Sequence, residues 1–565
     1  MQPLTFHPPT CKSPAFLEHQ QLQPEDLLRF ITQQQEQIIQ LKEQIELLEA
    51  EIRRLKKLPA KPDIKPNTKP PDDDTGSPDG DPSAPEGNDG ASPDTSSKQK
   101  VKKPNEKTRK QRKQPRKPSA EKSIPIAATD VPEGSIRNGT TPFHVQELTI
   151  QTSSIEYLLE QWVTPDGQTI TAKPPASLHG HHYGPMLQAY VLHQYHGCSV
   201  TQPELLDWLW DIGISISSGE LSQLLTKGHE QFHAEKDELL TTGIRCSSYI
   251  QTDDTGTRHK GKNGYCTIIN NESFAWFEST DSKSRENFVS LLHRPWSTYT
   301  FTDDALIYLE KLDYPKKWLR VLNPYRGVTF LSHEAWEECM KDLRLTGRRR
   351  QQASEAMIYG SLIQHGAGHL TTFSDGARQF DVFKHSQCWI HAERGLAKVH
   401  PVNDQQAMAQ KWLRTWFWAI YDDLKDFKTE PTEKKAIKVR QGFQALIQTQ
   451  TCSGLLQDAL SGLAVIKEEL LLVLDDPSLP LHNNLSESQI REYVKRRKIS
   501  SGTRSDLGRQ CRDTFASLKK TCRLYGLSFW DYLKSRLMGD GLFPRLSNLI
   551  EEASRHLPCG AASSF

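Results

Sequence analysis

IRCSSYIQTDDTG, residues 244–256, decides how the rest of the chain is read. Tyr249, Ile250 and Thr252 have the β-branched and aromatic character of a strand, and the segment predicts one ending in two adjacent carboxylates, Asp253 and Asp254. Working outward, GYCTIINNESFAWFES (264–279) predicts two further strands separated by the turn-forming Asn270, Asn271, Glu272 and Ser273. SKSRENFVSLL (282–292) follows as a short helix. GHLTTFSDGARQF (368–380) predicts a strand whose polar end is Asp375-Gly376, and SQCWIHAERGLAKV (386–399) passes from strand into helix. LHNNLSESQIREYVKRRK (481–498) begins a helix, with Asn483, Asn484 and Ser486 as capping candidates and Glu487 in the first turn.

Carboxylates at the ends of two strands and one on a later helix converge when the strands share one edge of a mixed α/β sheet. Such an oxygen-rich cluster suits Mg²⁺ or Mn²⁺, because hard cations take carboxylate and water ligands. Two such ions about 4 Å apart stabilise the attacking and leaving oxygens of an in-line displacement at phosphorus. Spacing alone leaves the alternative open that these acids are solvated strand ends.

The same blocks resemble the transposases of the insertion-sequence 66 family. TDDTG (252–256) is similar to the family's first acidic block, SDGARQF with CWIHAERGL to its Asp-Gly and Cys-Trp-x-His-Ala block, and LHNNLSESQIREYVKRRKISSGTRSDLGR to its Asn-Asn-x-x-Glu block. The resemblance implies an RNase H-like catalytic core with Asp253, Asp375 and Glu487 as catalytic residues and ligands of two Mg²⁺ or Mn²⁺ ions. It further implies cleavage at transposon ends and strand transfer into target DNA. Three departures stand out. The family carries a cysteine-ligated zinc finger after its linker, and VQELTIQTSSIEYLLEQWVTPDGQTI (145–170) has no cysteine. Asp254 stands where the family has Glu, and Glu393 where it has Arg. Cys388 and His391 have a Cys-x-x-His spacing, which is read as packing and orienting because no second pair completes a metal site.

After Glu487 come Arg491, Lys495, Arg496, Arg497 and Lys498. Arg491 lies one turn beyond Glu487 on the same helix face, so this run is assigned to DNA phosphates; a solvated helix face is the alternative.

The chain has 565 residues, enough for several domains, and Lys plus Arg (71) nearly balances Asp plus Glu (70). The charge is segregated. Within 1–58, Leu27, Ile31, Ile38, Leu41, Ile45, Leu48, Ile52 and Leu55 form a heptad seam, with Gln34 its polar position, which predicts a coiled coil and a homo-oligomer. Residues 59–125 read as a disordered linker, acidic over 71–90 and basic over 98–117. Residues 126–240 read as a mostly helical unit that binds DNA ends, opened by strand-like VQELTIQ and EYLLEQWV. Within it QPELLDWLWDIGISISSGELSQLLTKG (202–228) predicts helix, turn, helix with a Ser217–Glu220 capping box. HGHHYG (179–184) reads as a polar loop.

The core is expected over 241–540, with insertions at 295–365 and 405–477, and 541–565 as a tail. In the second insertion Trp412, Leu413, Trp416, Phe417 and Ile420 fall at helical spacing and are assigned to its core. The ten cysteines form no Cys-x-x-Cys pair, and no apolar run approaches membrane length. These features point to a cytoplasmic protein with no membrane partner and, through the heptad seam, to further copies of itself, while the resemblance implies double-stranded DNA and accessory proteins of the same element as partners. Two other readings keep the fold and change the activity: a catalytically inactive DNA-binding regulator, and a metal-dependent nuclease that cuts without joining.

Overall fold

The computed structural model describes residues 122–175, 178 and 182–555. The heptad segment, residues 59–121 of the linker, residues 179–181 of HGHHYG and residues 556–565 of the tail lie outside them.

Five strands form a mixed sheet: β1 (Tyr249–His259), β2 (Lys262–Asn270), β3 (Ala275–Thr280), β4 (Thr371–Ser374) and β5 (Lys384–Gln387), in the order β3-β2-β1-β4-β5. The first three form an antiparallel meander, with Gln251 opposite Asn270 and Tyr265 opposite Thr280. β4 pairs parallel with β1, Gln251 facing Phe373, and β5 pairs parallel with β4. β1 runs six residues beyond Asp253 instead of ending there. It turns back through Lys260 and Gly261, both at positive φ (49° and 79°), the two-residue geometry that matches strand twist.

The sheet is covered on both faces. Neighbouring residues on a strand point to opposite sides. Ile269 and Trp276 join one core with Phe232 and Leu239 of α1 (Glu230–Cys246). Ile268 and Phe277 pack instead against Ile490 and Tyr493. Both of those lie on α4 (Asn484–Ser500), the helix that also carries Glu487. Between α1 and α4 in the chain, α2 (Arg285–His293) follows β3 and α3 (Trp389–Ala397) follows β5.

The outer edge of β3 is closed by α5 (Asp506–Leu524). The amides of Ser279, Phe277 and Ala275 donate to Asp513 Oδ2, Ser517 Oγ and Thr521 Oγ1 at 2.8, 2.9 and 3.1 Å. Four helical residues rise about 6 Å and two strand residues about 6.7 Å, so every fourth helix side chain meets every second strand amide. Exposed strand amides are thereby satisfied by side chains rather than by another strand. At the opposite edge Glu469 contacts β5, taking Ser386 Oγ on its carbonyl at 3.1 Å and lying 3.0 Å from His385 Nδ1.

Both insertions are helical and have their own cores. The first, between α2 and β4, surrounds Phe301, Trp336 and Met357. The second, between α3 and α4, surrounds Phe417, Phe443 and Leu460 and takes in Trp389 of α3. Leu413, Phe417 and Ile420 are buried as expected, whereas Trp412 is 53% exposed.

The 126–240 segment is not a separate helical unit. Residues 122–160 carry neither helix nor strand, and a small hairpin pairs Gln161–Val163 with Thr169–Thr171. The helices begin at Pro185 and share the core of the sheet: Leu205, Leu209, Leu221 and Leu225 pack in the cluster that holds Trp276. The helix-turn-helix pair is present as Gln202–Asp211 and Ser218–Thr226, and both hydrogen bonds of the Ser217–Glu220 capping box form. Within the expected tail, Leu546–Arg555 is a helix, with Leu546 and Ile550 buried and the Leu546 amide on Glu235 Oε1 at 3.1 Å.

Candidate active site

β4 ends at Ser374 while β1 continues, so beyond Gln251 one flank of β1 loses its neighbour. Asp253 lies two residues past Gln251, and Asp375 two past its partner Phe373. Continued past that last pair, the register brings Asp375 alongside Asp253 at the notch, and the charge of Asp375 acts on Asp253. The Asp254 amide donates to Asp253 Oδ1 at 2.8 Å, and the Ala377 amide to Asp375 Oδ1 at 3.0 Å. Between them Gly376 adopts φ +102°, where an added Cβ would lie 2.8 Å from Gln387 Oε1; the turn that orients Asp375 requires glycine there.

Glu487 is brought in by the first turn of α4. Asn483 precedes the helix, but its side chain does not cap it: Nδ2 donates to the Thr252 carbonyl at 3.2 Å. The Asn483 amide donates to Cys388 Sγ at 3.3 Å, and Ser486 Oγ to Asn270 Oδ1 at 2.7 Å. The start of the helix is thus fastened to β1, to β2 and to the residue before α3. Glu487 remains 30% exposed, 3.7 Å from His391 Nε2.

Electrostatics tie the three acids together. Burial, then the charge of Asp375, then Asp254 and Glu487 push Asp253 up to about 7, against the lowering effect of the Asp254 amide. Among the described residues no Lys or Arg ion-pairs with Asp253, Asp375 or Glu487. Two buried acids elsewhere are paired with cations: Glu235 meets Arg536 at 2.8 Å, and Lys236 and Arg294 meet Glu278. Burial would raise Glu492 too, yet Lys520 and Lys519 hold it down to about 2. A cluster of carboxylates lacking basic partners is a donor set suited to hard divalent cations.

Three residues singled out in the sequence take places around the acids. His391 stands beside Glu487; burial lowers its basicity, with Arg394 adding and Asp375 and Glu487 opposing. Its place three residues after Cys388, in the block that follows β5, was the available signal. Asp254 accepts from Gln379 Nε2 at 2.8 Å. Glu393 is buried and paired with Arg414 of the second insertion.

The basic run divides. Arg491, Lys495 and Lys498 are exposed. Arg496 instead turns inward, its guanidinium 4.0 Å from the Tyr195 ring centre and its Nη1 3.3 Å from the Val200 carbonyl. Arg497 reaches the Gly256 carbonyl and lies 3.5 Å from Thr255 Oγ1, so it braces β1 beyond Asp253.

A mixed five-stranded sheet covered by helices defines an α/β protein, with Asp375 and Glu487 acting electrostatically on Asp253 where one strand loses its neighbour. Residues 348–510, which include Asp375, His391 and Glu487, match the family described as Transposase IS66 family. An uncharacterized protein, y4jO of Sinorhizobium fredii (strain NBRC 101917 / NGR234), is 37% identical over 307 residues, spanning 54% of this chain and 96% of that protein. The chain belongs to the IS66 family of transposases. Membership makes DNA its partner class. Among the described residues no helix is long and apolar enough to cross a membrane.

Proposed function

We propose that this chain is an Asp-Asp-Glu DNA transposase with an RNase H-like core, cleaving at transposon ends and joining the liberated 3′-hydroxyl to target DNA. The observation that supports the reading is that the charges of Asp375 and Glu487 act on the buried Asp253, while no Lys or Arg among the described residues ion-pairs with any of the three. These three residues would hold Mg²⁺ or Mn²⁺, two ions in the full site. When bound, the ions supply charge stabilisation to the attacking and leaving oxygens at phosphorus.

The remaining work falls to the chain's own groups. Asp253, pushed up to about 7, gives up its proton as the site is loaded. The Asp254 and Ala377 amides each hold one oxygen of Asp253 and Asp375, so that side-chain rotation and the approach of Glu487 complete the site as it is loaded. His391, whose basicity burial lowers, orients Glu487 from 3.7 Å. Arg491, Lys495 and Lys498 face solvent on the helix of Glu487 and hold phosphates beside the acids. The basic segment 98–117 adds phosphate contacts without reading sequence, and the heptad segment assembles the copies that pair two ends.

Labelled end DNA incubated with the full chain and Mg²⁺ tests this, beside an EDTA control and Glu487→Ala. Metal-dependent cleavage and joining, lost in both controls while end binding persists, is the expected result. Undiminished joining by Glu487→Ala overturns the assignment. Binding without any cleavage by the parent chain points to a DNA-binding regulator instead.

A further inference from the structure

A second set of ligand-type side chains lies outside the acid centre, where the first insertion meets the core. Glu286 sits in the first turn of α2; His333 and Glu337 are one turn apart on the helix His333–Asp342, on the same face. One ligand atom from each lies within 4.8 Å of the other two. Glu337 is half satisfied: Arg350 Nε donates to Oε2 at 2.7 Å, whereas Oε1 is buried with no hydrogen-bond partner. His333 Nε2 is 3.7 Å from that oxygen, too far to donate to it, and 3.2 Å from Ser354 Oγ. A buried acceptor left without a donor costs about 1–3 kcal/mol unless something else meets it. Glu355 nearby has its carboxyl raised by burial and by Glu286, with Arg285 opposing.

We propose that Glu286, His333 and Glu337 bind one divalent ion of the zinc class, which staples the helical insertion to the core. One imidazole nitrogen with two carboxylates is a borderline donor set, better suited to zinc than to magnesium or calcium. Ligand atoms of a tetrahedral zinc site lie about 3.3 Å apart, so side-chain rotation has about 1.5 Å to close. Glu286 and His333 come from different layers, so the ion joins segments that the chain separates by 46 residues (333 minus 286, less one). The residue before Glu286 shows what the staple supports. Arg285 donates from Nε and Nη2 to the Arg378 carbonyl at 3.2 and 2.7 Å, in the turn that follows Asp375. The staple does not rest on the proposed DNA chemistry.

The test uses the full chain, stripped with EDTA and dialysed against Zn²⁺ in excess Mg²⁺, which competes for the acid centre. Metal analysis should find about one zinc retained per chain, with a rise in Tm. Retention should persist in Asp253→Asn and fall at least tenfold in affinity in His333→Asn and in Glu286→Gln. Co²⁺ in place of Zn²⁺ should give visible absorption that His333→Asn abolishes. Circular dichroism of the metal-free variants checks that each folds, and Glu286→Gln, on the core side, stands in if His333→Asn does not. Zinc lost in Asp253→Asn but kept in His333→Asn, or no zinc retained by the parent chain, overturns the proposal.

Discussion

Asn483 donates from Nδ2 to the carbonyl of Thr252 at 3.2 Å. The bond joins the residue before Asp253 to the residue that opens the helix of Glu487. Of the three bonds that fasten the start of that helix, this one reaches the strand of Asp253 and so links two acids 234 positions apart in the chain (487 minus 253). Asn483 is fully buried, so no water replaces the bond once it is lost.

Asn483→Ala should therefore cost about 1–3 kcal/mol in stability. Metal-dependent cleavage should fall at least about tenfold, because Glu487 loses its register with Asp253. End-DNA affinity should change less than about twofold. Urea melts, cleavage assays and binding titrations on the one variant measure all three, and unchanged cleavage contradicts the positioning role.

The pH response of the metal-free chain should carry the mark of Asp253. Its folded value of about 7 lies above the ordinary 3.8, so the protein binds this proton more tightly when folded. The resulting stability is present below about pH 4 and is lost as pH rises through 7. Asp253→Asn has no such loss. In EDTA it should melt higher than the parent at pH 8, by on the order of 2–4 kcal/mol, with the gap closing towards pH 4. Adding Mg²⁺ at pH 8 should stabilise the parent more than the variant. A gap that does not depend on pH contradicts the assignment.

The exposed and buried cations of α4 should separate in DNA binding. Alanine at Arg491, Lys495 or Lys498 should weaken end binding for all sequences and reduce the slope of log affinity against log salt by about 1 each. Arg496→Ala should leave that slope unchanged and cost about 1–3 kcal/mol of stability, since its guanidinium stacks on Tyr195 inside the protein. Salt titrations beside thermal melts tell the two groups apart.

The elements that carry the acids, the strand of Asp253, the strand before Asp375 and the helix of Glu487, were legible because their apolar residues announce them. The length of β1 was not. TGTRH after Asp254 reads as polar loop, and its turn uses Lys260-Gly261 where Asn-Gly or Asp-Gly would have signalled a hairpin. Arg496 was hidden in a run of charge, although it falls three residues after the buried Tyr493 and so shares the inward face of the helix. The joining of Leu205 and Leu221 to the core of the sheet depends on contacts with residues far along the chain, such as Phe515, which no local pattern encodes. Ser217 and Glu220, by contrast, form their box within four residues, and it was readable as written.

The ladder between α5 and β3 behaves as a vernier. Asp513, Ser517 and Thr521 keep step with Ser279, Phe277 and Ala275 only while the helix keeps its count. One residue inserted between Asp513 and Thr521 turns the later rungs by about 100° and drops them out of mesh. The two helical insertions, each with its own core, can grow or shrink without disturbing that mesh. Length variation among relatives should therefore collect in those insertions and be absent from the stretch between positions 513 and 521.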